Sequence, residues 1–144
     1  MVPEREMAEE KTWLESLFRR GDRDVRRLRR ELKELLWFKA GIIRTGTELE
    51  EALGKVHELT SYLSRARIGD SRGLLRYLEL RNMLFISEAV CRAALMRTET
   101  RGAHYRSDYP EEDNDNWLKN ILVRKKGAGM SLETAPVPTV ALAL

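Results

Sequence analysis

The 144-residue sequence has few of the residue types that build disulfide frameworks and metal centres. It contains one cysteine, Cys91, and two histidines, His57 and His104. A single cysteine cannot form an intramolecular disulfide or a multi-cysteine zinc site. We therefore predict no metal site, an inert buried thiol at Cys91 and a surface position for His57.

Long apolar runs and a strong excess of one charge are also missing. No run approaches the roughly 20 apolar residues that span a bilayer, so we expect no direct membrane insertion. The N-terminus, MVPEREMAEEK, lacks the apolar stretch of a secretory signal, and a cytoplasmic location is the expectation. The 26 basic and 23 acidic residues give a net charge of only +3, which argues against a nucleic-acid partner.

The common catalytic and cofactor-binding motifs are absent as well. The sequence has no GxGxxG after a strand, no Walker loop, no HExxH and no nucleophile elbow. Accordingly, we assign no catalytic residue and no cofactor-binding residue to this chain.

The sequence does contain helical periodicity, which predicts a mainly α protein. A first helix should span Pro3 to Arg20, and a second should run from Asp22 or Asp24 to about Ile43. A third should begin at a capping box formed by Thr47 and Glu50 and end by Gly69. A fourth, capped by Asp70 or Ser71, should extend to about Arg97. The last three helices predict a three-helix, spectrin-repeat-like bundle.

The pattern also predicts which side chains are buried. Trp37 and Phe38 lie in the run LLWFKAGII, which is apolar on all sides, and are expected in the core. Gly41 in that run indicates a close helix contact or a local break. The fourth helix should be central, with apolar residues covering more than one face: Leu75, Leu78, Phe85, Ile86, Ala89, Val90, Ala93 and Met96.

After Asn116 the periodicity changes from helical to alternating. Residues 118–125 and 130–134 read as two strands around a turn at 126–129, which predicts a small β-hairpin. The chain thus divides into a connector helix (1–21), the bundle (22–98), a motif loop with the hairpin (99–135) and a tail (136–144). Two prolines are expected to block regular pairing in the tail, which is either disordered or docked on something absent from this chain.

Two charged segments allow more than one interpretation. The loop around His104 is rich in arginines and carboxylates, which could lock the loop, dock another domain or transfer protons. The arginine-rich start of the second helix fits either a solvated face or a surface for an acidic protein. It has no interleaved aromatic residues, which argues against nucleic acid.

Three segments resemble the C-terminal region of the succinate dehydrogenase and fumarate reductase flavoprotein family, to which L-aspartate oxidase is related. Residues 97–110, RTETRGAHYRSDYP, followed by DNDNWLKN, are similar to the family's ending. LLWFKAGIIR (35–44) and LELRNML (78–84) resemble two further family motifs. The resemblance covers roughly residues 24–135. The matched positions, which we expect to mark the family and to face another domain, are Trp37, Gly41, Arg44, Asn82, Arg101, Gly102, His104, Arg106, Asp108 and Trp117.

The resemblance implies an enzyme that interconverts succinate and fumarate by hydride transfer at FAD and exchanges electrons with an iron–sulfur subunit. FAD and the substrate would be held by a flavin-binding domain that has no counterpart in these residues. The chain would then be a helical C-terminal domain that supports the flavin domain, reaching a membrane only through partner subunits. The alternative is a free-standing interaction module that binds another protein through the basic second helix.

Overall fold

Helices dominate the computed structural model, which describes residues 4–18, 21–127 and 129–137. The helices are α1 (Glu4–Ser16), α2 (Val25–Lys39), α3 (Gly46–Ser61) and α4 (Ser71–Met96), with a 3₁₀ turn at Tyr62–Arg65. Helices α2, α3 and α4 pack on one another, which confirms the predicted three-helix bundle with its C-terminal hairpin.

The bundle core consists of two adjoining clusters of aliphatic side chains. The larger one joins Leu28 and Leu32 of α2 to Val56 and Leu59 of α3 and to Leu80 of α4. The smaller one contains mostly short side chains around one leucine: Ala40, Leu49, Ala52, Cys91 and Ala94. Each fully buried leucine contributes about 1.5–3 kcal/mol, so these residues hold the bundle together. Cys91 is buried as predicted, and this burial raises the pKa of its thiol.

Helix α1 lies against the bundle through its last two turns. Trp13 and Leu14 pack on the larger cluster, and the Arg81 guanidinium lies 4.8 Å from the Trp13 ring centre. The helix ends at Ser16, before the predicted end, while Pro3 and Arg20 lie outside the described residues. Gly21 then crosses the 3₁₀ turn so closely that a Cβ there would lie 2.0 Å from the Arg65 carbonyl oxygen.

The prediction for the end of the second helix was wrong. Helix α2 stops at Lys39, and a two-residue strand β1 (Ile43–Arg44) follows the local break at Gly41. Trp37 and Phe38 are 78% and 73% exposed, so neither is a core residue. Leu35 and Leu36 form the inner side of this run, and no helix in residues 4–18, 21–127 and 129–137 covers the two aromatic side chains.

The third helix begins two residues earlier than predicted. Thr45 is its N-cap, and the Thr45 hydroxyl accepts a hydrogen bond from the Glu48 amide at 3.2 Å. Both Thr45–Glu48 and Thr47–Glu50 have capping-box spacing. Thr45 directly follows β1, whose pairing keeps the chain extended, and this selects the earlier cap. The helix ends at Ser61, well before Gly69.

Helix α4 has the predicted cap, because Asp70 accepts a hydrogen bond from the Gly73 amide at 2.6 Å. It is central as expected, contacting both α2 and α3, but the expected set of buried residues was wrong. The buried side is Tyr77, Leu80, Leu84, Ser87, Cys91 and Ala94. Four of the residues predicted inside are exposed: Leu75, Phe85, Ile86 and Val90. A helix with two apolar sides does not reveal by periodicity which one faces inward.

Two small two-stranded sheets and a one-turn helix complete the fold. Strand β2 (Tyr105–Arg106) pairs in parallel with β1, and a one-turn helix α5 (Asn114–Trp117) follows; neither was predicted. The predicted hairpin is present as β3 (Lys119–Lys126) and β4 (Gly129–Pro136), with Lys119 opposite Pro136. The predicted start of the tail was wrong, because Pro136 is the last residue of β4 and is paired rather than excluded from the strand. The tail beyond Val137 lies outside the described residues.

Candidate functional site

The candidate site is the motif loop, residues 97–118, which leads from the end of α4 to the hairpin. Arg106 is its most buried cation, at 2% exposure. Its Nη1 donates to the carbonyl oxygens of Ala94 and Arg97, at 2.9 and 3.1 Å. The last carbonyls of a helix have no partner within the helix and carry partial negative charge. Arg106 therefore closes the C-terminus of α4.

Asp108 connects this guanidinium to the start of α3. Its two carboxylate oxygens each accept from Arg106, from Nε and Nη2, at 2.7 Å. One of them also accepts from the Gly46 amide at 2.9 Å. These donors hold the pKa of Asp108 far below its usual range. One ion pair thus bridges the C-terminal end of α4 and the N-terminal end of α3.

Glu99 is a fully buried carboxylate at the centre of the loop. Its Oε1 accepts from Arg97 and from Arg101 Nε, at 2.5 and 2.8 Å. Its Oε2 accepts from Arg101 Nη2 at 2.9 Å and from the Asp113 amide at 2.8 Å. Hydrogen bonds from Arg101, opposed by burial and supported by the Asp113 amide and Arg97, lower the pKa of Glu99 to about 2. The carboxylate is therefore ionised and saturated with donors.

His104 is held as a neutral ring. Arg44 Nη1 lies 2.7 Å from His104 Nδ1, and since a guanidinium can only donate, Nδ1 is the unprotonated nitrogen. Nε2 then carries the hydrogen and faces the Arg97 carbonyl oxygen at 3.3 Å. Burial, together with the nearby arginines, lowers the pKa of His104. Both ring nitrogens are engaged, so the ring would have to break its bond to Arg44 before it could accept a proton.

A hydroxyl and a glycine shape the loop around these charges. The Thr100 hydroxyl donates to the Tyr109 carbonyl oxygen at 2.9 Å and accepts from the Arg106 amide at 3.0 Å. Gly102, at φ 57°, makes the tight turn between Arg101 and His104, whose backbones exchange hydrogen bonds. A side chain in this left-handed conformation would be strained.

Arg97 and Trp117 attach the hairpin to the loop. Arg97 donates to the carbonyl oxygens of Trp117 and Lys119, at 3.0 and 2.6 Å. Trp117 Nε1 donates to the Thr98 hydroxyl at 3.0 Å, and the Arg97 guanidinium lies 5.2 Å from the Trp117 ring centre. The start of β3 is therefore fixed to the end of α4.

The chemistry of this arrangement is that of a structural joint. Its buried charges are satisfied by several partners each, as a stable polar network requires. Over residues 4–18, 21–127 and 129–137, no group of three histidine, cysteine or carboxylate side chains is arranged to hold a metal ion. In the same ranges, no helix is both long and apolar enough to cross a bilayer.

Most of the matched motif positions meet in this joint. The carbonyl oxygen of Gly41 accepts a hydrogen bond from Arg44, which joins this position to the others. The positions that meet are Gly41, Arg44, Arg101, Gly102, His104, Arg106, Asp108 and Trp117. Trp37 and Asn82 lie apart from it, exposed on α2 and α4. The key residue that the sequence reasoning did not select is Glu99. Its position between Arg97 and Arg101 was a usable signal, because alternate residues of an extended segment share one side.

Comparison with known proteins places this geometry in a family. Residues 29–143 match the family described as fumarate reductase flavoprotein C-term. An uncharacterised FAD-dependent oxidoreductase of Methanocaldococcus jannaschii is 36% identical over 107 residues, covering 74% of this chain and 20% of that protein. L-aspartate oxidase of Acinetobacter baylyi is 38% identical over 105 residues, covering 69% of this chain and 18% of the enzyme.

The fold agrees with solved structures of the same kind. In Escherichia coli quinol fumarate reductase, a chain with 29% identity superposes with a TM-score of 0.89, over 96% of this chain and 25% of that one. The chain spans about a fifth of the length of the curated relatives it matches. The recognition made from the motifs is confirmed: this chain belongs to the C-terminal domain family of the succinate dehydrogenase and fumarate reductase flavoproteins.

Proposed function

We propose that this chain acts as the helical C-terminal domain of an FAD-dependent flavoprotein and supports that protein's flavin-binding domain. The family match and the small share of each relative that the chain covers support this proposal. The motif loop fits such a role because it stiffens the domain and leaves no buried charge free for chemistry.

The outer side of α4 is the observation that carries the proposal. Leu75 and Ile86 are each 59% exposed, and Val90 is 41% exposed. At 100° per residue these three positions share one side of the helix, turned away from buried Leu80 and Cys91. Exposed Glu79 and Asn82 separate Leu75 from the other two, whereas Ile86 and Val90 are one helical turn apart. Neighbouring exposed apolar side chains of this kind are typical of interaction surfaces. Ile42 and Ile43 are similarly exposed, and we propose that they belong to the same interface.

For the whole protein, we infer a reaction on succinate and fumarate in which hydride passes to or from FAD. The family description and the name of the E. coli structure support this substrate class. The FAD would be bound by the flavin-binding domain and the electrons exchanged with an iron–sulfur subunit. Any attachment to a membrane would be made through such partner subunits. An interdomain role for Trp37, Gly41 and Asn82 remains a prediction of the motif match.

The test is binding of this chain to the flavin-binding domain of the same protein, followed by analytical ultracentrifugation at micromolar concentration. We expect a stable complex that the double substitution Ile86→Glu and Val90→Glu weakens about tenfold or more, because the new carboxylates would lose water on binding. Met7→Glu together with Ala8→Glu, at two exposed positions of α1, adds the same charge and is the matched control, which should have no effect.

Three results would contradict the proposal. The first is a failure of the unmodified chain to bind the flavin domain, and the second is an equal loss of binding in the α1 control variant. The third is a flavin absorbance spectrum in the purified chain alone, because it would place the FAD here rather than in the other domain.

A further inference from the structure

A basic groove runs between α2 and the start of α4, away from the motif loop. It encloses about 730 Å³. Five cationic side chains line it: Arg26, Arg29, Arg30, Lys33 and Arg76. They face a single carboxylate lining the groove, that of Glu34. The cations come from two helices, so the fold concentrates charge that the sequence showed only along α2.

These cations are largely without anionic partners. Arg29 Nη1 lies 3.3 Å from Glu79 Oε2. Throughout the part of the chain that the structure describes, Arg26, Arg30, Lys33 and Arg76 have no carboxylate within 4 Å. Of the eleven other arginines in residues 21–118, six have a carboxylate within 4 Å. The groove therefore holds uncompensated positive charge.

The charge continues into a second depression of about 440 Å³, which shares Val25, Arg26 and Arg76 with the groove and adds Arg67. Two carboxylates line this part, but both serve as helix caps. Asp24 accepts from the Arg26 amide at 2.9 Å, and Asp70 from the Gly73 amide at 2.6 Å. Each of these carboxylates thus interacts with the positive end of the helix that it caps.

The other end of the groove is aromatic. Trp37 and Phe38 line it and, among the residues that the structure describes, are the most exposed large apolar side chains. Exposed tryptophan and arginine together are typical of protein-binding surfaces, where they supply most of the binding energy. The groove therefore offers cations along its length and an apolar contact at one end.

We propose that this groove binds an acidic peptide segment of a partner protein, with an apolar side chain of that segment resting on Trp37. The charge of the groove complements such a segment. A nucleic acid fits less well, because the aromatic residues are grouped at one end rather than interleaved with the arginines, and Glu34 would repel phosphates. The groove does not include Ile86 or Val90, and none of its cations is among the positions predicted to face another domain, so the cation contacts can be tested separately from the proposed docking of the flavin domain. Trp37 is the one residue common to both.

Fluorescence anisotropy with a labelled synthetic peptide, rich in glutamate and with one central leucine, tests the proposal. The full chain should bind this peptide at low salt and more weakly as salt is raised. Arg26→Glu together with Arg30→Glu should weaken binding about tenfold or more. Both side chains are exposed, so the fold should persist, as circular dichroism can verify. The matched control is Lys125→Glu with Lys126→Glu at the exposed hairpin tip, which makes the same change in net charge.

A second comparison tests the aromatic end. Trp37→Ala should weaken binding of the leucine peptide several-fold but leave a peptide with serine at that position unchanged. The proposal is overturned if the unmodified chain does not bind the peptide or if the hairpin-tip variant loses as much affinity as the groove variant. Tighter binding of a single-stranded oligodeoxythymidine than of the peptide would assign the groove to nucleic acid instead.

Discussion

At the residue scale, the protein keeps its buried charges by surrounding each with several partners. Glu99 accepts four hydrogen bonds, and Arg106 donates to two helix carbonyls and to Asp108. Removing one partner from such a pair leaves an uncompensated buried charge, which costs about 3–5 kcal/mol. The network therefore selects one loop conformation, and alternatives that expose these pairs are disfavoured.

The depressed pKa of Glu99 makes a prediction for acid stability. Its pKa falls from 4.5 to about 2 on folding. The unfolded chain binds more protons between these values, so the stabilisation is complete above about pH 5 and is lost as pH falls toward about 2. We expect the difference in free energy of unfolding between the natural chain and Glu99→Gln to shrink by about 2–3 kcal/mol over this range. Urea titrations at a series of pH values measure it.

Glu133→Gln provides the matched control for this titration. Glu133 pairs with Arg124 on the exposed hairpin, and such surface pairs contribute about 0–1 kcal/mol. The free energy of unfolding of Glu133→Gln should stay within about 1 kcal/mol of that of the natural chain at every pH. If the difference in free energy of unfolding between the natural chain and Glu99→Gln were constant from neutral pH to about pH 2, protonation of Glu99 would not contribute to the loss of stability in acid.

At the element scale, the helices could be predicted from the sequence, but their buried sides could be predicted only where apolar residues occur on one side. Leu28 and Leu32 have polar neighbours on the other side of α2, so their burial followed from periodicity. Around Trp37 and along α4, apolar residues occur on two sides, and the bundle buries only one of them. Periodicity does not distinguish burial inside a domain from apolar exposure on its surface, so the outer sides of these helices were predicted to be core.

The start of α3 offers a test between two candidate caps. Thr45→Ala should destabilise the chain by about 1 kcal/mol, because it removes the hydroxyl that accepts from the Glu48 amide. Thr47→Ala should change stability by a few tenths of a kcal/mol, since Thr47 is exposed inside the first helical turn. Thermal denaturation of both variants makes the comparison. A larger loss for Thr47→Ala would restore the capping box that the sequence suggested.

At the scale of the whole molecule, the motif loop is the place where three parts of the chain meet. Arg106 and Asp108 join the end of α4 to the start of α3. Arg44 and His104 join β1 to β2, and Arg97 attaches β3. The sequence located this segment correctly, because its motifs were recognisable. The sequence did not show which distant residues this segment contacts. Gly46, which donates to Asp108, and Arg44, which donates to His104, lie about 60 residues away along the chain.

This arrangement predicts that two arginines attach the hairpin and that Arg97 fixes the start of β3. The second is Arg92, which donates to the Met130 carbonyl oxygen of β4 at 3.1 Å. Arg97→Met should therefore increase amide hydrogen exchange across β3 and β4, while amides of α4 near Leu80 keep their protection, because local opening leaves the bundle core intact. Mass-spectrometric exchange resolves the two regions.

Arg124→Met is the control, since Arg124 pairs only within the hairpin and its loss should leave the attachment unchanged. Equal loss of protection in α4 and the hairpin would mean that the two unfold as one unit and that Arg97 is not a separate attachment.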